Sequence, residues 1–130
     1  MDGAGSPDPV SWEFTPQDLR RVRQIVARVA GVAGIPAAGV GNLVWAVNEL
    51  TTNAIVHGGG RGRVTITTTA HGVRVAVTDW GPGLPGPISD ALPTLPELGG
   101  RGLWLTRHLY PEMTVTTGPA GTTVSVHASR

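Results

Sequence analysis

The chain has 130 residues, a net charge of +1, no cysteine and no lysine, so all ten basic residues are arginine. That length fits one domain able to bury a core. The composition excludes a disulfide framework and thiolate chemistry, as well as the lysine-dependent Walker A loop, the eukaryotic-type kinase strand lysine and Schiff-base mechanisms. Near-neutral charge and 5% aromatics give no field or stacking surface for nucleic acid. There is no apolar run of membrane-spanning length and no signal pattern at the N-terminus, so a cytoplasmic protein away from the membrane is expected.

Residues 1–8 are expected to be a disordered tail, and residues 9–130 a single domain. Val10-Ser-Trp12-Glu-Phe14 alternates as a short strand. Thr15, Pro16 and Asp18 then open a helix as N-cap, first position and capping-box acid. Leu19, Val22, Ile25, Val26 and Val29 form its apolar face, and Arg20, Arg21, Arg23 and Arg28 its solvated face. A second helix is expected from Ala37 to His57, stopped by Gly58-Gly59-Gly60. At about 100° per residue, Leu43, Val47, Leu50 and Ala54 share a core face. Glu49 and Asn53 stack one turn apart on its flank. A carboxylate beside a core stripe loses hydration and needs a partner or a proton. With a carboxamide stacked on it, it suits a metal-phosphate site or proton abstraction next to one. His57 continues that stripe and is read as a favourable cap on the helix C-terminus.

Residues 63–69 and 73–78 alternate in period two and are joined as a hairpin by residues 70–72. Asp79 ends the second strand, and Gly81 and Gly83 follow. A carboxylate at a strand end can accept a hydrogen bond from an exocyclic amine, and glycines let a flat ring approach. Trp80 is the tryptophan expected nearest a ligand. Residues 81–86 match G-x-G-x-x-G. A dinucleotide fingerprint must open a helix, and here prolines and an aperiodic loop follow instead. Residues 84–98 carry prolines at 85, 87, 93 and 96; so long a loop in a small domain points to function. Gly99-Gly100-Arg101-Gly102 then precedes a helix at residues 103–109. Free amides at a helix start, with an arginine beside them, suit phosphate. Residues 112–117 and 122–129 read as two last strands around a Gly-Pro-Ala-Gly turn. The order implies an α/β (α+β) two-layer sandwich, a mixed, mostly antiparallel sheet covered on one face by about three helices. The histidines show no metal-ligand spacing.

Four clusters together, Glu49-x-x-x-Asn53-Ala54, Asp79-x-Gly81-x-Gly83, Gly100-x-Gly102-Leu103 and Gly121-Thr-Thr123, resemble the ordered boxes of the GHKL (Bergerat-fold) ATPase superfamily. The resemblance covers residues 10–129. Within the superfamily the wording of residues 48–57 and the short loop are most similar to the bacterial anti-sigma-factor serine/threonine kinases. The resemblance implies ATP and Mg²⁺ as ligands. It makes Glu49 the general base, Asn53 the Mg²⁺ ligand and Asp79 the partner of the adenine amino group. Gly81 and Gly83 shape the adenine and lid entry, and residues 84–98 form the lid. Gly100, Arg101, Gly102 and Leu103 meet the phosphate region, and Thr123 lies near the adenine. It further implies a protein serine/threonine kinase that phosphorylates a STAS-type anti-sigma-factor antagonist and sequesters a sigma factor. Dimers are common in that family, so a homodimer is among the expectations. The alternative is a non-catalytic, nucleotide-gated binding regulator of the same fold. A detached histidine-kinase catalytic domain is disfavoured because no helix here carries a phosphoacceptor hairpin. The chain departs from the family pattern in a proline-rich, charge-poor lid and in having no lysine to support Arg101.

Overall fold

A computed structural model describes residues 9–83 and 100–130. The expected tail and most of the expected lid lie outside the described residues. Strand β1 spans Val10–Phe14. Thr15 N–H donates to Asp18 Oδ2 at 2.8 Å, half of the expected capping box. The first turn it closes, Pro16–Asp18, is 3₁₀, and helix α1 proper spans Leu19–Val32. Val22, Val26 and Ala30 are its buried positions, as the 3.6-residue spacing requires.

Helix α2 runs Ala37–His57, the expected bounds, and buries Leu43, Ala46, Val47, Leu50, Thr51 and Ala54. Burying a leucine or valine of this kind contributes about 1.5–3 kcal/mol, so the apolar stripe alone fixes which way the flank faces. Thr51 is a polar residue inside that stripe. Its hydroxyl donates to Val47 O at 2.8 Å and to Asn48 O at 3.1 Å, which satisfies it within the helix. Gly58 N–H closes the last turn on Ala54 O at 2.9 Å. Gly59 and Gly60 then turn the chain at φ +93° and +87°, values that favour glycine.

Strands β2 (Gly62–Thr68) and β3 (Gly72–Asp79) form the hairpin, and α3 spans Gly100–Leu109. Strands β4 (Thr114–Gly118) and β5 (Gly121–Ser129) complete the sheet. The strand order is β1-β2-β3-β5-β4, and all four ladders are antiparallel, so no parallel pair is present among the described residues. Alternation is strict: Val73, Val75 and Val77 of β3 and Val124, Val126 and Ala128 of β5 are buried in one core with residues of all three helices. The opposite face carries small hydroxyls, with Ser11 bonded to Thr65 and Thr78 to Thr123. The architecture is the expected two-layer sandwich. It sets the end of β3 beside the end of α2 and the start of α3 along the middle of α2.

Candidate functional site

Asp79 is the last residue of β3, paired with Gly62 of β2 on one side and Thr122 of β5 on the other. Its Oδ1 accepts the Gly81 N–H at 2.9 Å, which holds the carboxylate at the strand end. Space around it is cleared by glycines from three separate loops. A Cβ on Gly58 would lie 2.5 Å from Asp79 Oδ2, and one on Gly81 would lie 2.6 Å from Gly58 Cα. Gly121, at φ +143°, passes directly over the Asp79 carbonyl. Side chains at any of these places would have to displace backbone or the carboxylate itself. The glycine run after α2 is therefore more than a stop and turn: Gly58 is the floor against which Asp79 rests.

From Asp79 an open cavity of about 470 Å³, its mouth included, extends between α2 and the sheet. Leu50, Val77 and Val124 supply apolar walls, and Leu103 of α3, 4% exposed, closes the side. Asn53, His57, Asp79 and Thr122 are the polar lining. Asn53 Nδ2 is buried with no hydrogen-bond partner among the described residues. A buried donor left unmade costs about 1–3 kcal/mol, and a ligand bearing acceptors would recover it.

Glu49 sits one turn beyond Asn53, past the cavity lining. Its carboxylate lies against α3: a Cβ on Gly102 would be 2.8 Å from Glu49 Oε2. Only a glycine lets the helix approach that closely. The expectation that Gly100, Arg101 and Gly102 precede the helix is corrected here, since they form its first turn. Packing on α2 outweighs their weak helical propensity. That turn lies at the Glu49 end of the site. The Arg101 side chain is outside the described residues.

Gly83 lines the cavity, and the Gly81 N–H bonds Asp79. Thr123 does not join them. Its hydroxyl bonds Thr78 at 2.9 Å on the far face of the sheet, and Thr122, 6% exposed, takes the cavity wall. The sequence reading is off by one residue, which in a strand is a change of face. Trp80 is 45% exposed and lies outside the lining, with the Arg61 guanidinium 5.4 Å from its ring centroid. His57, read as a helix cap, instead lines the cavity one turn past Asn53. Its spacing from Asn53 was the available signal.

A carboxylate at one end, a buried amide donor without a partner among the described residues in the middle and the α3 turn by a second carboxylate at the other line up along α2. Comparison with known proteins gives the family. The model of the histidine kinase-like ATPase domain matches residues 12–127, and the chain belongs to that family, within the GHKL superfamily. A structure of the RsbU and RsbW domains of Rv1364c from Mycobacterium tuberculosis is similar at a TM-score of 0.68 and 21% identity, covering 95% of this chain and 33% of that one. The histidine kinase domain of the blue-light activated histidine kinase EL346 from Erythrobacter litoralis is similar at 0.53 and 24%, covering 98% and 71%. At these identities the likeness is one of fold, and the chain spans about a third of the first structure's length. No protein of curated function matches it. Family membership implies ATP binding. Among the described residues no helix is long and apolar enough to cross a membrane.

Proposed function

We propose that the protein is an ATP-dependent serine/threonine kinase and anti-sigma factor. It phosphorylates a STAS-type antagonist and, once released from it, holds a sigma factor in the cytoplasm. The observation that carries the kinase reading is the seating of Glu49 against Gly102 of α3, one turn from Asn53. A carboxylate beside the phosphate-binding turn is the base that a phosphotransferase needs and a plain nucleotide binder does not. The wording of residues 48–57, similar to the anti-sigma-factor kinases, and the likeness to a chain with an RsbW domain support the choice of substrate and partner.

In this reading Asp79 accepts a hydrogen bond from the adenine amino group. Gly58, Gly81 and Gly83 leave room for the ring, and Thr122, in place of Thr123, lies beside it. The first-turn amides of α3, with Arg101, meet the β- and γ-phosphates. Mg²⁺ keeps waters and takes most of its oxygens from phosphates, and Asn53 would hold it. Bound there, Mg²⁺ neutralises charge on the phosphates. Glu49 takes the proton of the substrate hydroxyl as its oxygen bonds to the γ-phosphorus. The bond to the bridging oxygen breaks and ADP leaves.

The test is transfer from γ-labelled ATP with Mg²⁺ to a candidate antagonist, by wild type and Glu49→Gln. Transfer should fall by about 10²–10⁴ in the variant, with ATP affinity retained. Transfer undiminished in Glu49→Gln removes the base assignment. ATP binding without transfer in wild type would leave a nucleotide-gated binding regulator instead.

A further inference from the structure

We infer that the outer stripe of α3, Leu105 and Leu109, is the surface on which the phosphoacceptor protein docks, through an apolar patch with an acidic rim on that partner. The inference rests on the kinase reading of the site and adds to it a contact outside the nucleotide cavity. Leu105 and Leu109 are 38% and 43% exposed, while Leu103 and Thr106 on the other side of the helix are buried. The exposed pair is therefore not needed to close the core. Among the described residues the other exposed large apolar side chains, Val10, Val32, Val56 and Trp80, are scattered over separate elements, and scattered singles are ordinary. Two leucines one turn apart make a patch.

What covers that patch follows from where the stripe begins. Gly102, Leu105 and Leu109 are spaced i, i+3 and i+7, so they lie within about 60° of one line along α3. The line starts at the Glu49 carboxylate, which rests against Gly102. A hydroxyl that gives up its proton to Glu49 must be brought to this spot, and a protein that carries it covers more than the spot. One side of an ordinary protein–protein contact buries about 800 Å², a footprint roughly 30 Å across. The ten residues of α3 extend only about 15 Å. A substrate seated at Glu49 thus reaches along α3, and the leucine stripe is the apolar surface it meets. Beside the stripe, the rings of Trp104 and His108 stack with centroids 3.9 Å apart, and His108 Nδ1 donates to Trp104 O at 2.9 Å. A ring held in this way loses little freedom when covered. Residues Gly100–Leu109 include no acid and carry Arg107 and His108 in the last turn, so the matching rim on the partner is acidic.

The test is transfer from Mg²⁺-ATP to a STAS-type antagonist by wild type and by Leu105→Ser combined with Leu109→Ser, with ATP affinity and melting temperature measured alongside. The serine pair should raise KM for the antagonist about 10- to 100-fold, the range of one or two buried anchors, at unchanged kcat and ATP affinity. Leu105→Met with Leu109→Met, which keeps an apolar surface, should recover most of the loss. Val32→Ser, at the end of α1, should leave KM where it is. If the serine pair unfolds, Leu109→Ser alone carries the same expectation. KM unmoved in the serine variants, or ATP affinity falling in step with transfer, overturns the inference while the kinase reading stands. A wild-type dimer split by the serine pair would seat a second copy on the stripe and also overturn it. Wild type that binds ATP and transfers to no antagonist defeats the kinase reading, and this inference with it.

Discussion

The two ends of the sheet solve opposite problems. At the hairpin end, polar groups find one another. Arg130 donates to Ala33 O at 3.4 Å and to Ala70 O, its N–H bonds His71 O at 2.8 Å, and His127 Nε2 meets Thr69 Oγ1 at 2.7 Å. One arginine thereby ties the end of α1 to the β2–β3 turn. At the Asp79 end, among the described residues, Asn53 Nδ2 has no partner and no hydrogen bond holds the His57 ring, while three glycines hold space open. An unmade bond is tolerated where a ligand makes it. The site is thus marked by what the fold leaves incomplete, independently of any sequence motif.

Each end also has a glycine pinned against a neighbouring strand, and these give the largest expected effects. A Cβ on Gly72 would collide with the Ala128 carbonyl, and one on Gly121 with the Asp79 carbonyl. Gly121 is further strained for any other residue by its φ of +143°. Gly72→Ala and Gly121→Ala should each lower stability by more than about 2 kcal/mol, measured by urea unfolding. Only Gly121→Ala should also weaken ATP binding to the folded fraction, because the backbone it moves carries Asp79. Equal loss of ATP affinity in both would show that the two ends are not independent.

A crossed pair of milder changes sharpens the same division. Asp79→Asn keeps an acceptor for the Gly81 N–H, so the melting temperature should hold. It removes the charge facing the base, and ATP affinity should fall about 10- to 100-fold, the range of a charge-assisted bond. Arg130→Ala should do the reverse, costing about 0.5–1.5 kcal/mol of stability with ATP affinity unchanged. Calorimetric titration and thermal melting of both variants read the four outcomes.

What the sequence conveyed follows the same boundary. β1 and α2 could be read to the residue, because alternation, a capping acid and a glycine stop are local signals. The antiparallel sheet and the one-sided helix layer follow from the order of elements. Glu49, Asn53 and Asp79 stood out as polar groups where the pattern wanted apolar ones. What escaped depends on tertiary contact. Gly100 and Gly102 are helical, and Gly102 packs on Glu49 in a contact made across 53 residues. Thr122 and Thr123 are equivalent in sequence, and only the pairing of Asp79 with Thr122 decides which faces the cavity. His57 at the end of a helix reads equally as a cap until β3 brings Asp79 beside it.

The smallest expected effect lies at the hairpin end, where Arg74, His71 and His127 come together. Arg74 of β3 stands directly opposite His127 of β5, a costly pairing for two cations. His127 is correspondingly harder to protonate. Burial, then Arg74, then His71 push its pKa below the ordinary 6.5, against a smaller upward pull from Glu112. With the folded pKa depressed, the unfolded chain binds more protons through the window at and below 6.5. Stability from this group is therefore complete above that window and declines as pH falls through it. Between about pH 7.5 and about pH 5.5, urea unfolding of wild type should lose more stability than His127→Gln, which keeps a partner for Thr69 and cannot charge. Arg74→Ala should narrow the difference by removing the nearest cation. Identical pH slopes for wild type and His127→Gln would mean that the imidazole is as free to charge in the fold as outside it, and that the hairpin end tolerates the charge it is here said to exclude.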